Sequence, residues 1–197
     1  MRSALAVVVA LVVSIAAGAC HRSSPESAPE TSASTSPAAA NTGSPGDIAF
    51  LENMVVHHQQ ALELTAMVRG QSDDPALVEL ADRVGAQQRA ELQGCQAQLL
   101  QWEAPDDSSG GNDGHPDQAD IPGMVDQATM DRLRELRGPA FDKLWLESMI
   151  SHHRGAIAMA HNEIQHGQSP EAISIAQSLA ARQQTEIDQM NQQLGTL

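Results

Sequence analysis

Two stretches of the chain place a thioether and two imidazoles on adjacent turns: Met54-Val-Val-His57-His58 and Met149-Ile-Ser-His152-His153. Residues three and four apart are neighbours on a helix, so Met54 lies beside both His57 and His58, and Met149 repeats this with His152 and His153. Sulfur and imidazole nitrogen together favour copper, Cu(I) above all, over magnesium or calcium. Adjacent histidines diverge by about 100° around a helix axis, so one ring of each pair is free to bond a neighbouring helix instead. The plainer alternative makes the methionines core fillers and the histidines satisfied core groups. Duplication of all three positions weighs toward metal.

Carboxylates are the next donors to place. Glu91 and Glu186 occupy matched positions, each followed four residues on by a sulfur side chain, Cys95 or Met190. They are additional ligands, acceptors for a ring N–H, or part of an exposed Gln- and Glu-rich face. Glu52 and Glu147 project away from the histidines into solvent. Asp47 and Asp142 precede His58 and His153 by eleven residues, about 16 Å of helix, and are expected to stabilise helix N-termini. A di-iron carboxylate bundle needs Glu-x-x-His on two helices plus two further glutamates, and only Glu163 and His166 match. His21, His115, His161, His166, Met124 and Met130 are scattered near loops and helix ends, where surface positions are expected. The sequence holds no phosphate loop, nucleophile elbow or zinc-type cysteine spacing, so covalent hydrolysis has no candidate nucleophile.

The elements that must hold these groups emerge from a repeat. A shift of 95 residues carries Asp47, Leu51, Glu52, Met54, His57, His58 and Ala61 onto Asp142, Leu146, Glu147, Met149, His152, His153 and Ala156. The same shift carries Pro75, Ala81, Gln88, Glu91, Gln98 and Leu99 onto Pro170, Ala176, Gln183, Glu186, Gln193 and Leu194. A duplicated helical hairpin is the reading. Apolar periodicity, Gly-Gln-Ser turns and a proline in the following first turn predict helices near 47–69, 75–102, 140–166 and 170–195, with a loop over 104–123 and a short helix near 125–137. Halves 47–102 and 140–197 then dock into an all-α four-helix bundle, one domain over 47–197. Aromatics make up 2% of the chain, with no Tyr, a composition that suits helices rather than strands. A net charge of −14 disfavours nucleic acid and suits a protein that meets cations.

The N-terminus predicts export. Arg2, the apolar run Ala4 to Ala16 and then Ala17-Gly18-Ala19-Cys20 read as a signal peptide over 1–19, too short to span a membrane. Cysteine after small residues resembles a lipobox, so Cys20 is the expected lipidation point and membrane anchor; the alternative is an ordinary secretory peptide cut near Ala19. Residues 20–46, rich in Ser, Pro, Ala, Thr and Gly, form a disordered tether reaching roughly 30 Å. Cys95 is then a lone thiol on the periplasmic or extracellular face, without a disulfide partner.

The run Ile121-Pro-Gly-Met124, then Phe141-Asp142, Leu146, Met149 to Ala160 and Gln183-x-x-Glu186-Ile187-x-x-Met190 resembles the family catalogued as domain of unknown function three-hundred-five. The resemblance spans about residues 47 to 195. It implies a ferritin-like fold, export and, for some members, periplasmic copper binding in copper resistance, with Met149, His152, His153 and Met159 matching the family signature. The first half has Leu64 where Met159 recurs. Taken together, these observations predict an exported lipoprotein that sequesters or passes on copper, or silver, through Met54, His57, His58, Met149, His152, His153 and Met159. The alternatives are a ferritin-like metal-dependent oxidoreductase ligated by Glu91 and Glu186, and a cell-envelope structural or interaction module without metal.

Overall fold

The computed structural model describes residues 42–102 and 121–197. The expected signal peptide, Cys20, His21, the tether up to residue 41, His115 and the loop residues 104–120 lie outside the described residues. Within the described residues the chain forms five helices and no strand: α1 Pro45–Gln71, α2 Pro75–Trp102, α3 Gln127–Glu135, α4 Gly138–His166 and α5 Pro170–Leu194.

Local chemistry sets the helix starts. The Ser44 hydroxyl accepts the Asp47 N–H while the Asp47 carboxylate accepts the Ser44 N–H at 2.7 Å, a reciprocal capping box. Pro45 sits in the first turn, where its missing N–H costs nothing. α1 therefore starts ahead of the expected residue 47, because Ser44-Pro45, tether-like by composition, is a helix start by spacing. Ser169 does the same for α5, accepting the Ala172 N–H ahead of Pro170. Turns 72–74 and 167–169 join the two helices of each half, and connections this short make them antiparallel neighbours.

Two apolar clusters fix the directions of the long helices. One gathers Leu64, Leu77, Val84, Trp145, Met149 and Met190, and the other Phe50, Met54, Cys95, Ala156, Ala176 and Leu179. Every long helix contributes to both, so α1 and α5 run from the second cluster to the first, and α2 and α4 run back. α1 packs on α4 and α2 on α5 across the hairpins. The chain leaves α2 at one end of the bundle and starts α4 at the other, the single long crossover of ferritin-like bundles. Trp145 ties the halves together by donating its buried indole N–H to the Leu64 carbonyl at 2.8 Å. α3, within the crossover, buries Met130 and Leu133 in the first cluster. Met130, expected near the surface, is thus a core residue: the periodicity of a nine-residue helix is too short to show which face packs.

The crossover is pinned to the bundle at its described end. The Gln60 side chain donates to the Val125 carbonyl at 2.8 Å and accepts the Val125 N–H at 2.7 Å, pairing like a strand neighbour. Gly123 adopts a positive φ of 83°, and its backbone lies against Gly155 of α4, where an added Cβ would stand 2.2 Å from the Pro122 carbonyl oxygen. Glycine at 155 is what lets this loop settle just past the histidines.

Candidate metal centre

Between the apolar clusters lies a polar layer. α1 supplies His57 and His58 and α4 supplies His152 and His153, all four with 0% exposure. α2 adds Gln88 and Glu91, and α5 adds Gln183 and Glu186, all buried. The divergence of adjacent histidines resolves into two roles. His57 and His152 stack in the centre, ring centroids 3.7 Å apart and tilted by 34°. The outer rings turn to carboxylates: His153 Nε2 is 2.7 Å from Glu186 Oε2, and His58 Nε2 is 3.6 Å from Glu91 Oε2. Glu91 is meanwhile held by Arg182 Nε at 2.9 Å, by Gln87 at 2.9 Å and by Gln183 at 3.4 Å.

The layer is under-satisfied. Of the eight ring nitrogens only His153 Nε2 makes a well-formed hydrogen bond; the Pro122 backbone lies near His57 and the Gln88 amide near His58 without closing to one. A buried polar atom without a partner costs about 1–3 kcal/mol, so folding leaves a set of donors that a ligand would satisfy. Burial pushes His57 down to about 3, helped by the neighbouring His58 and His153. His152 is lowered well below its usual value by burial and by His57, and His58 is lowered by burial against the opposing pull of Glu91. Neutral imidazole is the metal-ligating form.

Sulfur flanks this layer on both sides. Met54, fully buried, joins Cys95 in one apolar cluster, and Met149 joins Met190 in the other. Each methionine is three residues from its first histidine, about 4.5 Å along the axis. The Cys95 thiol is pushed up to about 12 by burial and by Glu91, which keeps it protonated and unreactive. Met159 is placed elsewhere: half-buried, it lines a cleft of about 420 Å³ with Phe50, Glu163 and His166, about 9 Å beyond His153 by helical rise. Glu163 is buried there, raised to about 7 by burial and by Asp47. The lone Glu-x-x-His pair therefore stands outside the histidine layer.

Among the described residues, no three His, Cys, Asp or Glu side chains converge as a ready metal cage. The layer's groups meet in twos, ring on ring and ring on carboxylate, so a cation held here draws on the thioethers or on rotation of the stacked rings. Three residues in and around the layer, Gln88, Gln183 and Arg182, lie outside the Met-x-x-His-His motifs. Gln88 and Gln183 repeat at the same offset as the histidines, which is a signal. Arg182 stands where the first half has Gln87, and nothing in the sequence marks it.

The sequence pattern described as Domain of unknown function (DUF305) matches residues 47–194. The chain belongs to this family. Among solved structures, a DUF305 fragment from Deinococcus radiodurans is 29% identical with a TM-score of 0.69, covering 79% of this chain and 99% of its own. A DUF305 protein of Streptomyces coelicolor, named as a candidate secreted protein, is 28% identical with a TM-score of 0.67, covering 80% of this chain and 95% of its own. CopM in its Cu(I)-bound form is 25% identical with a TM-score of 0.60, covering 76% of this chain and 96% of its own. CopM has also been solved with Cu(II) and with silver. No curated protein matches the sequence. Among the described residues of this DUF305 protein, no helix is long and apolar enough to cross a membrane.

Proposed function

We propose that this DUF305 protein binds copper as cargo, Cu(I) by preference and silver by the same chemistry, and sequesters it or passes it on outside the cytoplasm. The observation that carries this reading is the layer of four fully buried imidazoles with seven ring nitrogens lacking partners, bordered by the thioethers of Met54 and Met149. Imidazole and thioether form a soft donor set suited to Cu(I). The copper-bound and silver-bound forms of CopM support the assignment. The donor set is Met54, His57, His58, Met149, His152 and His153, with Met159 an outlying thioether on α4. Glu91 and Glu186 act behind the rings, since Glu186 orients His153 and Glu91 faces His58. That use of both carboxylates favours storage or transfer over a ferritin-like oxidoreductase.

Export and lipidation at Cys20 complete the proposal; the N-terminal sequence and the secreted-type name of the Streptomyces relative support export. The test is metal analysis of the protein after anaerobic incubation with Cu(I) and desalting, beside a variant with His57, His58, His152 and His153 replaced by Leu. Copper retained by the parent and lost from a still-helical variant is expected. A parent that retains none overturns the proposal and leaves the histidines as architecture.

A further inference from the structure

The four imidazoles are fully buried, so a cation reaches them only where the bundle opens. The loop at Pro122–Val125 lies against the α1/α4 side, pinned by Gln60 and seated on Gly155. Each hairpin is held along its length by close packing, whereas α2 and α5 pack least closely of the four neighbouring pairs. On that face a cleft of about 260 Å³ is lined by the small residues Ala90, Gly94, Ser174 and Ser178 together with Glu91. A second cleft, about 270 Å³, includes Glu186 in its lining. Arg182 lines both.

This arginine is half exposed, at 48%, while the Glu91 carboxylate it bonds is 1% exposed. Behind Glu91, 3.6 Å away, stands the unpartnered Nε2 of His58. We infer that Arg182 is a gate: its guanidinium closes the α2/α5 opening by occupying Glu91, gives way to a cation in passage and closes again behind it. The replacement is charge-matched. A singly charged soft cation arriving at Glu91 as the guanidinium swings into solvent leaves the charge of the layer unchanged, whereas a divalent ion adds one uncompensated charge to a buried site. The guanidinium is half in water and is free to swing out, and the cation that takes its place keeps the buried Glu91 carboxylate compensated, so a gate here is able to open. The inference rests on the copper-binding reading and adds the route, the gatekeeper and a preference for monovalent ions.

Stopped-flow transfer of Cu(I) from the loaded protein to excess chromogenic Cu(I) chelator tests it. Arg182→Gln, which installs the residue of the matching first-half position, is expected to release Cu(I) about fivefold faster, the equivalent of a half-exposed ion pair worth about 1 kcal/mol. Arg182→Lys, which keeps a cation on Glu91, is expected to stay near the parent rate. Ser178→Phe, a surface change that fills the cleft, is expected to slow release, and it keeps the test valid should Arg182→Gln disturb the fold. Gln60→Ala, on the opposite side, is expected to leave the rate unchanged. A parent that holds Cu(I) while Arg182→Gln and Ser178→Phe release it at the parent rate overturns the gate alone, as does acceleration confined to Gln60→Ala. A parent that retains no Cu(I) overturns the binding reading and the gate with it.

Discussion

The two halves of the bundle carry the same His, Gln and Glu in the same register and use them differently. In the second half His153 makes a 2.7 Å bond to Glu186, whereas in the first His58 stands 3.6 Å from Glu91. The matched pair Gln87 and Arg182 accounts for it. Arg182 reaches from α5 to the α2 carboxylate and Gln87 bonds the same group from its own helix, so Glu91 is drawn off His58. Glu186 has no such claimant among the described residues. Duplication preserved the donors; a single half-exposed residue decides which outer histidine is committed.

A second matched pair, Gln60 and Gly155, makes the same point for the crossover. On α1 the position carries an amide that grips Val125 by both backbone groups. On α4 it carries no side chain, and the Pro122–Gly123 backbone lies in the space. One repeat position thus binds the loop and its copy makes room for it.

The inner rings are the part of the layer the halves share equally, and they carry the largest expected effect. As pH falls below 6.5 the unfolded chain protonates His57, while the folded protein resists until about 3. Stability present above 6.5 is therefore lost progressively toward that value, and by pH 4.5 His57 alone removes roughly 2–3 kcal/mol. His152 acts in the same direction. Urea unfolding of the metal-free protein at pH 7.5 and 4.5 measures the loss. His57→Leu and His152→Leu are each expected to recover a similar share; unequal recovery would break the symmetry of the inner pair.

The loop-side contrast predicts smaller and unequal costs. Gly155→Ala forces a Cβ to 2.2 Å from the Pro122 carbonyl oxygen and 2.5 Å from the Gly123 Cα, backbone atoms that yield only if the loop lifts. It should cost about 1–3 kcal/mol. Gln60→Ala removes two hydrogen bonds from a part-buried site and should cost about 1 kcal/mol. Urea midpoints rank the two, and amide exchange at Val125 shows whether both act through the loop. A Gly155→Ala protein as stable as its parent would mean the loop is not seated on α4.

Much of this was legible in the sequence for a physical reason: repetition at one offset exposes positions that packing holds in common. The helices, the hairpins and the inward direction of both histidine pairs follow from periodicity and turn chemistry. Periodicity alone could not distinguish ring stacking from ring–carboxylate bonding, because both depend on the angle between helices. Met159 shows the limit most directly. It lies on the edge of the same helical face as the histidines, yet the loop and α1 leave it in a cleft with Glu163 and His166. Arg182 was invisible because its meaning comes from a carboxylate on another helix. The capping box at Ser44 was readable from spacing and was masked by tether-like composition.

The smallest expected effect is the most direct test of the comparison between halves. Arg182→Gln removes the half-exposed ion pair on Glu91 but leaves the Gln87 and Gln183 amides bonded to the buried carboxylate, so it should change stability by about 1 kcal/mol. Its consequence should instead be local. Released toward its own half, the Glu91 carboxylate is expected to close on His58 as Glu186 closes on His153. In nitrogen-15 NMR of the metal-free protein, the parent is expected to show one slowly exchanging histidine Nε2–H, that of His153, and the variant two. A variant spectrum with one such signal would place the 3.6 Å separation in the spacing of α1 and α2 rather than in Arg182, and the two halves would then differ in backbone as well as in side chain.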